Sequence, residues 1–142
     1  MSTLLVDERI VKWLKVLLPF AFKGEILFPV YLFRSGGSYV LLASGKPEIH
    51  IGFIISPRKK IYYGNTFLHT HIFNAMPSNV DLRVRLPFFL VTSPPFDTIC
   101  LAMKKEPPKD DDVPKRLVKY VRTSEMDIEN SGSYKVVVYR YS

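Results

Sequence analysis

His69 and His71, two of the three histidines in the chain, stand at i and i+2 behind the apolar pair Phe67-Leu68. That pair reads as the end of a buried strand. On a strand, i and i+2 project from one face, so the two imidazoles aim at one point. Ten residues after His71 comes Asp81, in the run Pro77-Ser78-Asn79-Val80-Asp81, where a helix start would swing the carboxylate back toward the histidines. Two neutral imidazoles and a carboxylate make a three-ligand divalent-metal site, and a catalytic zinc takes that number of protein ligands with a fourth position left open. The same residues also have plainer roles. His69 and His71 can be hydrogen-bonded strand histidines, and Ser78 with Asp81 three residues on can be a helix cap with an acidic first turn.

The elements that must position these groups follow from periodicity. From Asp7 to Leu18, Ile10, Val11, Leu14, Leu17 and Leu18 fall at helical spacing, with Lys12 and Lys15 on the other face, so an amphipathic helix ends near Pro19. Ile26 to Phe33 and Tyr39 to Ala43 are apolar runs joined by Arg34-Ser-Gly-Gly-Ser38, the pattern of a hairpin. Pro29 lacks a ladder donor, which assigns it to an edge, a bulge or a strand's first residue. Further strands are expected over Glu48 to Ile55 and Ile61 to His71, with a turn at Pro57-Arg-Lys-Lys60 between them. A short helix is expected over Ser78 to Leu86, then strands over Phe88 to Thr92, Thr98 to Met103 and Tyr134 to Tyr141, with a turn at Ser93-Pro-Pro95. The loop at about 104–113 is polar, charged and proline-bearing, and Pro114 to Arg122 reads as a basic helix with proline in its first turn. The result is one domain over residues 1–142 of α/β (α+β) class, a mixed β-sheet flanked by helices, with a C-terminal helix-strand extension.

Composition bounds the function. With 47% hydrophobic and 13% aromatic residues the chain can build a core without staples, and Cys100, its one cysteine, lies in the apolar run Ile99-Cys-Leu-Ala-Met103, as a buried and inert thiol would. The 20 Lys and Arg against 13 Asp and Glu give a net charge of +7, which favours anionic partners, nonspecific nucleic acid among them. The excess is partly clustered at Arg58-Lys59-Lys60, Lys104-Lys105 and Lys115-Arg116. Asp110-Asp-Asp112 lacks the glycine and trailing glutamate of a calcium loop and reads as surface. His50, between Ile49 and Ile51, reads as a structural histidine. Lys23 and Glu25 break the most apolar region, so no membrane span and no export signal are expected, and the chain is read as cytoplasmic with no membrane partner. It contains no glutamine, as a thermophilic source would favour.

His69-Thr70-His71 followed by Ser78-Asn79-Val80-Asp81 resembles the signature of the JAMM (JAB/MPN-type) zinc metalloproteases, in which a His-x-His pair and a downstream Ser-x-x-Asp supply the metal site. The order of elements ahead of it, a helix, then Glu25, then a hairpin, is similar as well. The chain departs from the pattern at Ile72, where proline is usual, in having one residue fewer between His71 and Ser78, and in lacking glycines around Glu25. The resemblance implies a JAB/MPN-like fold with cytidine-deaminase-like layering and zinc held by His69, His71 and Asp81. It further implies Glu25 as the acid and base, with Glu48 in reserve, and Ser78 as the donor to an oxyanion. The substrate would be a peptide or an isopeptide joining a ubiquitin-like protein to a lysine. The other reading is a catalytically inactive basic binding module of the same fold, contacting nucleic acid or a protein.

Overall fold

The computed structural model describes residues 1–50, 64–78, 81–82, 86–128 and 133–142. In chain order these form β1 (Thr3–Asp7), α1 (Glu8–Val16), a 3-10 turn (Leu18–Phe20), β2 (Glu25–Ser35), β3 (Ser38–Ala43), β4 (Glu48–His50), β5 (Thr66–Thr70), β6 (Phe88–Thr92), β7 (Thr98–Met103), β8 (Leu117–Ile128) and β9 (Tyr134–Tyr141). The sheet runs β3-β1-β8-β9-β7-β6-β5-β2, and β2 pairs back onto β3, so eight strands close a barrel while β4 lies beside the start of β2. This overturns the expected α/β (α+β) architecture with its JAB/MPN-like layering of a mixed sheet between helices. Among the described residues α1 is the one α-helix longer than a turn, and it lies at the ends of β1, β3 and β8.

Two segments account for the difference, one to which the sequence assigns no element and one expected as a helix. Thr3-Leu4-Leu5-Val6 forms β1, which pairs with β3 and β8 through buried Leu4 and Val6. Within the expected basic helix from Pro114 to Arg122, the residues from Leu117 on are instead the start of β8, and the expected helix-strand extension is an antiparallel β8–β9 pair built into the barrel wall. Val118, Val121 and Thr123 are β-branched, and Tyr120 points inward with its hydroxyl donating to the Phe96 carbonyl. With β1 on one side and β9 on the other, the ladder bonds outweigh the local helical pattern.

Strand alternation sorts the residues into two cores. Ile26, Phe28, Val30 and Leu32 of β2, Leu68 of β5, Leu90 of β6, Leu101 of β7 and Tyr139 of β9 fill the interior, joined by Ile10 and Leu14 of α1. Asp7 starts α1 as its N-cap, accepting from the Arg9 backbone N–H and guanidinium and from the Ala43 N–H, all near 3 Å. A second, outer cluster of Phe89, Val91, Cys100, Ala102, Tyr134 and Val136 is covered by Ala75 and Leu82. Pro29 stands inside β2, not at its end. Its carbonyl accepts from Ser44 on the flank where β3 stops and β4 has not begun, so its missing N–H faces a break in the ladder.

The charged loop after β7 is largely exposed but tied along β2. Arg34 donates to the carbonyls of Pro107 and Pro108, and its own carbonyl accepts from Asp110. Within the acidic run, Asp110 Oδ1 accepts the Asp112 N–H, a local turn. The Pro57-Arg-Lys-Lys60 turn, the parts of the expected strands beyond His50 and before Gly64, and most of the helix expected over 78–86 lie outside the described residues. No helix among the described residues is long and apolar enough to cross a membrane.

Candidate metal centre

The site stands on the outer face of the barrel wall where β2 and β5 pair. On β5, Leu68 turns inward and Phe67 and His69 turn outward, and Leu27 of β2 sits opposite His69. Thr70, the residue between the histidines, faces inward and its Oγ1 accepts the Ile26 N–H at 2.9 Å, which locks the start of β2 against the end of β5. The His71 N–H continues onto the Thr92 carbonyl at 2.8 Å, so His71 is held by β6 although the ladder of β5 has ended. Carried two residues past the Leu27–His69 pair, the antiparallel register brings Glu25 beside His71.

Asp81 returns to this face through a reciprocal cap. Its N–H donates to Ser78 Oγ at 3.2 Å, and its Oδ2 accepts the Ser78 N–H at 2.7 Å. The next residue, Leu82, is buried in the outer cluster and anchors the turn. Asp81 Oδ1 lies 3.0 Å from His69 Nε2 and Oδ2 3.1 Å from His71 Nε2, so one carboxylate spans both imidazoles. The rings meet edge to face with centroids 5.0 Å apart, and His69 stacks on Phe89 at 6.2 Å. Glu25 Oε1 stands 3.8 Å from His71 Nε2, with its side chain half exposed while those of the other three are nearly buried.

Burial acts most strongly on the Asp81 carboxyl and would raise its pKa, but the hydrogen bonds from His69 and His71 outweigh it and hold Asp81 well below the usual carboxylate range. For His71, burial again acts first and would lower the pKa. The Asp81 hydrogen bond and charge, then the Glu25 charge and a hydrogen bond to the Met76 backbone, raise it above the ordinary histidine value. That last bond is the kind of backbone contact that orients a metal-ligating imidazole. Burial pushes the nearby Cys100 thiol up to about 11, so it stays protonated and inert at neutral pH.

One ligand atom from each of His69, His71 and Asp81 lies within 4.8 Å of the others, a group that could hold a metal ion. Tetrahedral ligands at about 2.0–2.1 Å from an ion lie about 3.3 Å apart, so a set spread over as much as 4.8 Å would have to draw together around an ion, with one Asp81 oxygen serving as the ligand.

The ladder treats the two candidate acids differently. Glu48 sits opposite Leu27 on β4, with β2 between it and His69. Its backbone is therefore about 9–10 Å from that of His69, two interstrand spacings, whereas Glu25 adjoins His71 directly. Ser78 is exposed and its Oγ accepts from Asp81, leaving the hydroxyl hydrogen unused by that bond. The His50 side chain lies outside the described residues, as does the Arg58-Lys59-Lys60 cluster, while Lys104-Lys105 and Lys115-Arg116 are exposed. Thr70, Phe89, Thr92 and Met76 support the site without having stood out in the sequence. Of these only Thr70 carried a signal, since the middle residue of a His-x-His pair on a strand must face the opposite way. Compared with models of known protein families, with curated proteins and with solved structures, the chain finds no match.

Proposed function

We propose that this protein is a zinc-dependent metallohydrolase acting on a peptide or isopeptide bond in the manner of the JAMM metalloproteases, with His69, His71 and Asp81 as the metal ligands. The observation that carries the reading is the convergence of these three donors from two separated chain segments, with the Glu25 carboxylate 3.8 Å from one of them. A structural cluster needs the His–Asp pairs but has no need of a half-exposed glutamate beside them.

When bound, the ion would supply Lewis acidity, lowering the pKa of a water toward neutrality and polarising a carbonyl. Glu25, exposed enough to meet solvent, would accept the proton of the attacking water at Oε1 and pass it to the leaving amine. Ser78 would turn its hydroxyl hydrogen toward the developing oxyanion. The Met76 backbone bond orients the His71 imidazole, and the Phe89 ring stacked on His69 orients the other. The substrate class is a peptide, or a ubiquitin-like protein joined to a lysine.

The deciding experiment is metal analysis of protein purified without chelator or polyhistidine tag, followed by cleavage assays on peptide and isopeptide conjugates. About one zinc per chain together with cleavage is the expected result. Protein that stays metal-free after zinc addition and desalting overturns the reading at its first step. Retained zinc with no cleavage of either substrate class favours the inactive binding module.

A further inference from the structure

The run from Lys12 to Lys23 carries more apolar surface than the core uses. Ile10, Leu14 and Ala21 are buried in the interior cluster, with Val11 and Leu17 packed against it. That leaves Trp13, Val16, Leu18, Phe20 and Phe22 between 37% and 66% exposed, five large apolar side chains within ten residues. Scattered exposed apolar residues are ordinary, whereas so dense a run of them along one segment is the composition of a contact surface.

The charges in the same run favour an anionic partner, although Asp110 and Asp112 line a groove together with Trp13. Lys12, Lys15 and Lys23 are exposed among the apolar residues, and no acidic residue occurs between Glu8 and Glu25. Among the described residues its ion pair is Lys12 with Glu8 at 3.1 Å, an exposed i,i+4 contact that competes weakly with another anion. Aromatic and aliphatic side chains interleaved with lysines fit the boundary between the headgroups and acyl chains of an anionic bilayer, where the rings insert and the ammonium groups meet phosphates. The register places this surface at a meaningful end of the molecule. The C-terminal ends of β1, β3 and β5 and the N-terminal end of β2 lie at one end of the barrel, so α1 and the His69–His71–Asp81 cluster share that end. Ile72 and Phe73, next to His71, add exposed apolar side chains there, Phe73 at 91%.

We infer that the surface formed by Trp13, Val16, Phe20 and Phe22 with Lys12, Lys15 and Lys23 docks the protein peripherally on an anionic phospholipid bilayer. This is attachment to a surface, distinct from spanning it, and it stands whether or not the metal centre is catalytic. It departs from the expectation of no membrane partner.

Trp13 is the only tryptophan, so its fluorescence reports on the surface directly. The full chain is mixed with vesicles of phosphatidylcholine alone or with 30 mol% phosphatidylserine (about a third of the lipid, as in a strongly anionic leaflet). The expected result is sedimentation with the anionic vesicles, a blue shift of Trp13 emission, and quenching by brominated acyl chains. Each lysine near such a surface contributes about 1 kcal/mol, so Lys15→Ala with Lys23→Ala should weaken binding about 30-fold. Phe20→Ser with Phe22→Ser should abolish the shift while circular dichroism stays unchanged. Absence of sedimentation overturns the inference. So does equal binding to neutral vesicles, sedimentation with Trp13 still open to aqueous iodide, or a lipid-independent shift that grows with protein concentration, which would make a second copy the occupant.

Discussion

Leu68 and His69 are neighbours on β5 and face opposite ways, and the regions they enter are built on different physics. Leu68 joins an interior closed on all sides by strands and at one end by α1, where aliphatic and aromatic side chains need no particular partner. His69 joins a cluster on the outer wall in which Asp81 holds both imidazoles and Glu25 approaches from the neighbouring strand. Each polar group there is tolerated because another satisfies it. Core contacts are numerous and individually replaceable, so damage to one lowers stability by a graded amount. The outer cluster is a single mutually dependent unit, so removing one member leaves a nearly buried charge or an unpaired imidazole.

The largest expected break in this contrast is Asp81→Asn, which removes the anionic ligand and the carboxylate that both histidines share. Zinc affinity should fall more than about 100-fold, beyond what loss of an outer-sphere partner costs, and activity should fall with it. Zinc titration by competition with a chromophoric chelator reads this directly, and an Asn variant that keeps wild-type affinity would remove Asp81 from the ligand set.

Glu25→Gln separates chemistry from binding. Hydrolysis should slow about 10²- to 10⁴-fold while zinc content and melting temperature stay near wild type. If turnover is unchanged, Glu25 is not the proton carrier, and Glu48→Gln becomes the variant to measure.

Leu68→Ala is the complementary break on the inner face. It should cost about 2–5 kcal/mol in urea unfolding and leave zinc stoichiometry intact. Loss of zinc in a variant that remains folded would mean the two faces of β5 are coupled more tightly than the alternation implies.

The pH dependence of the metal-free protein sharpens the comparison further. Asp81 is held below the ordinary carboxyl value of 3.8, so its contribution is present above that pH and is lost as pH falls toward the folded value. His71 is raised above 6.5, so its contribution is full below that pH and is lost as pH rises through the folded value. The outer cluster therefore stabilises the metal-free fold most between about pH 4 and 6.5, the interval between those reference values. Unfolding midpoints measured across pH should show this window in the wild type and lose it in Asp81→Asn.

Ser78→Ala should have the smallest effect on the fold. Loss of its cap costs about 0.5–2 kcal/mol of stability, readable as a lowered urea midpoint. A variant with unaltered stability would indicate that Leu82 alone holds the turn.

Several parts of this protein were legible in the sequence because local pattern and tertiary environment agree. The hairpin from Ile26 to Ala43, the strands Phe88–Thr92, Thr98–Met103 and Tyr134–Tyr141, and a helix after Asp7 all stand where composition and turn residues put them. Alternation also determined that His69 and His71 share a face. That Glu25 lies beside His71 depended on the register of β2 against β5, which no local pattern encodes. Likewise Asp81 reaches both histidines because Leu82 finds a place in the outer cluster, against strands far from it in the chain. The architecture was decided at the same level. β1 is five residues long, too short to stand out from the helix that follows it, and Pro114 to Arg122 carries a helical start signal. Ladder bonds to β3, β8 and β9 settle both segments as strands, because a closed barrel satisfies edges that a local reading leaves open.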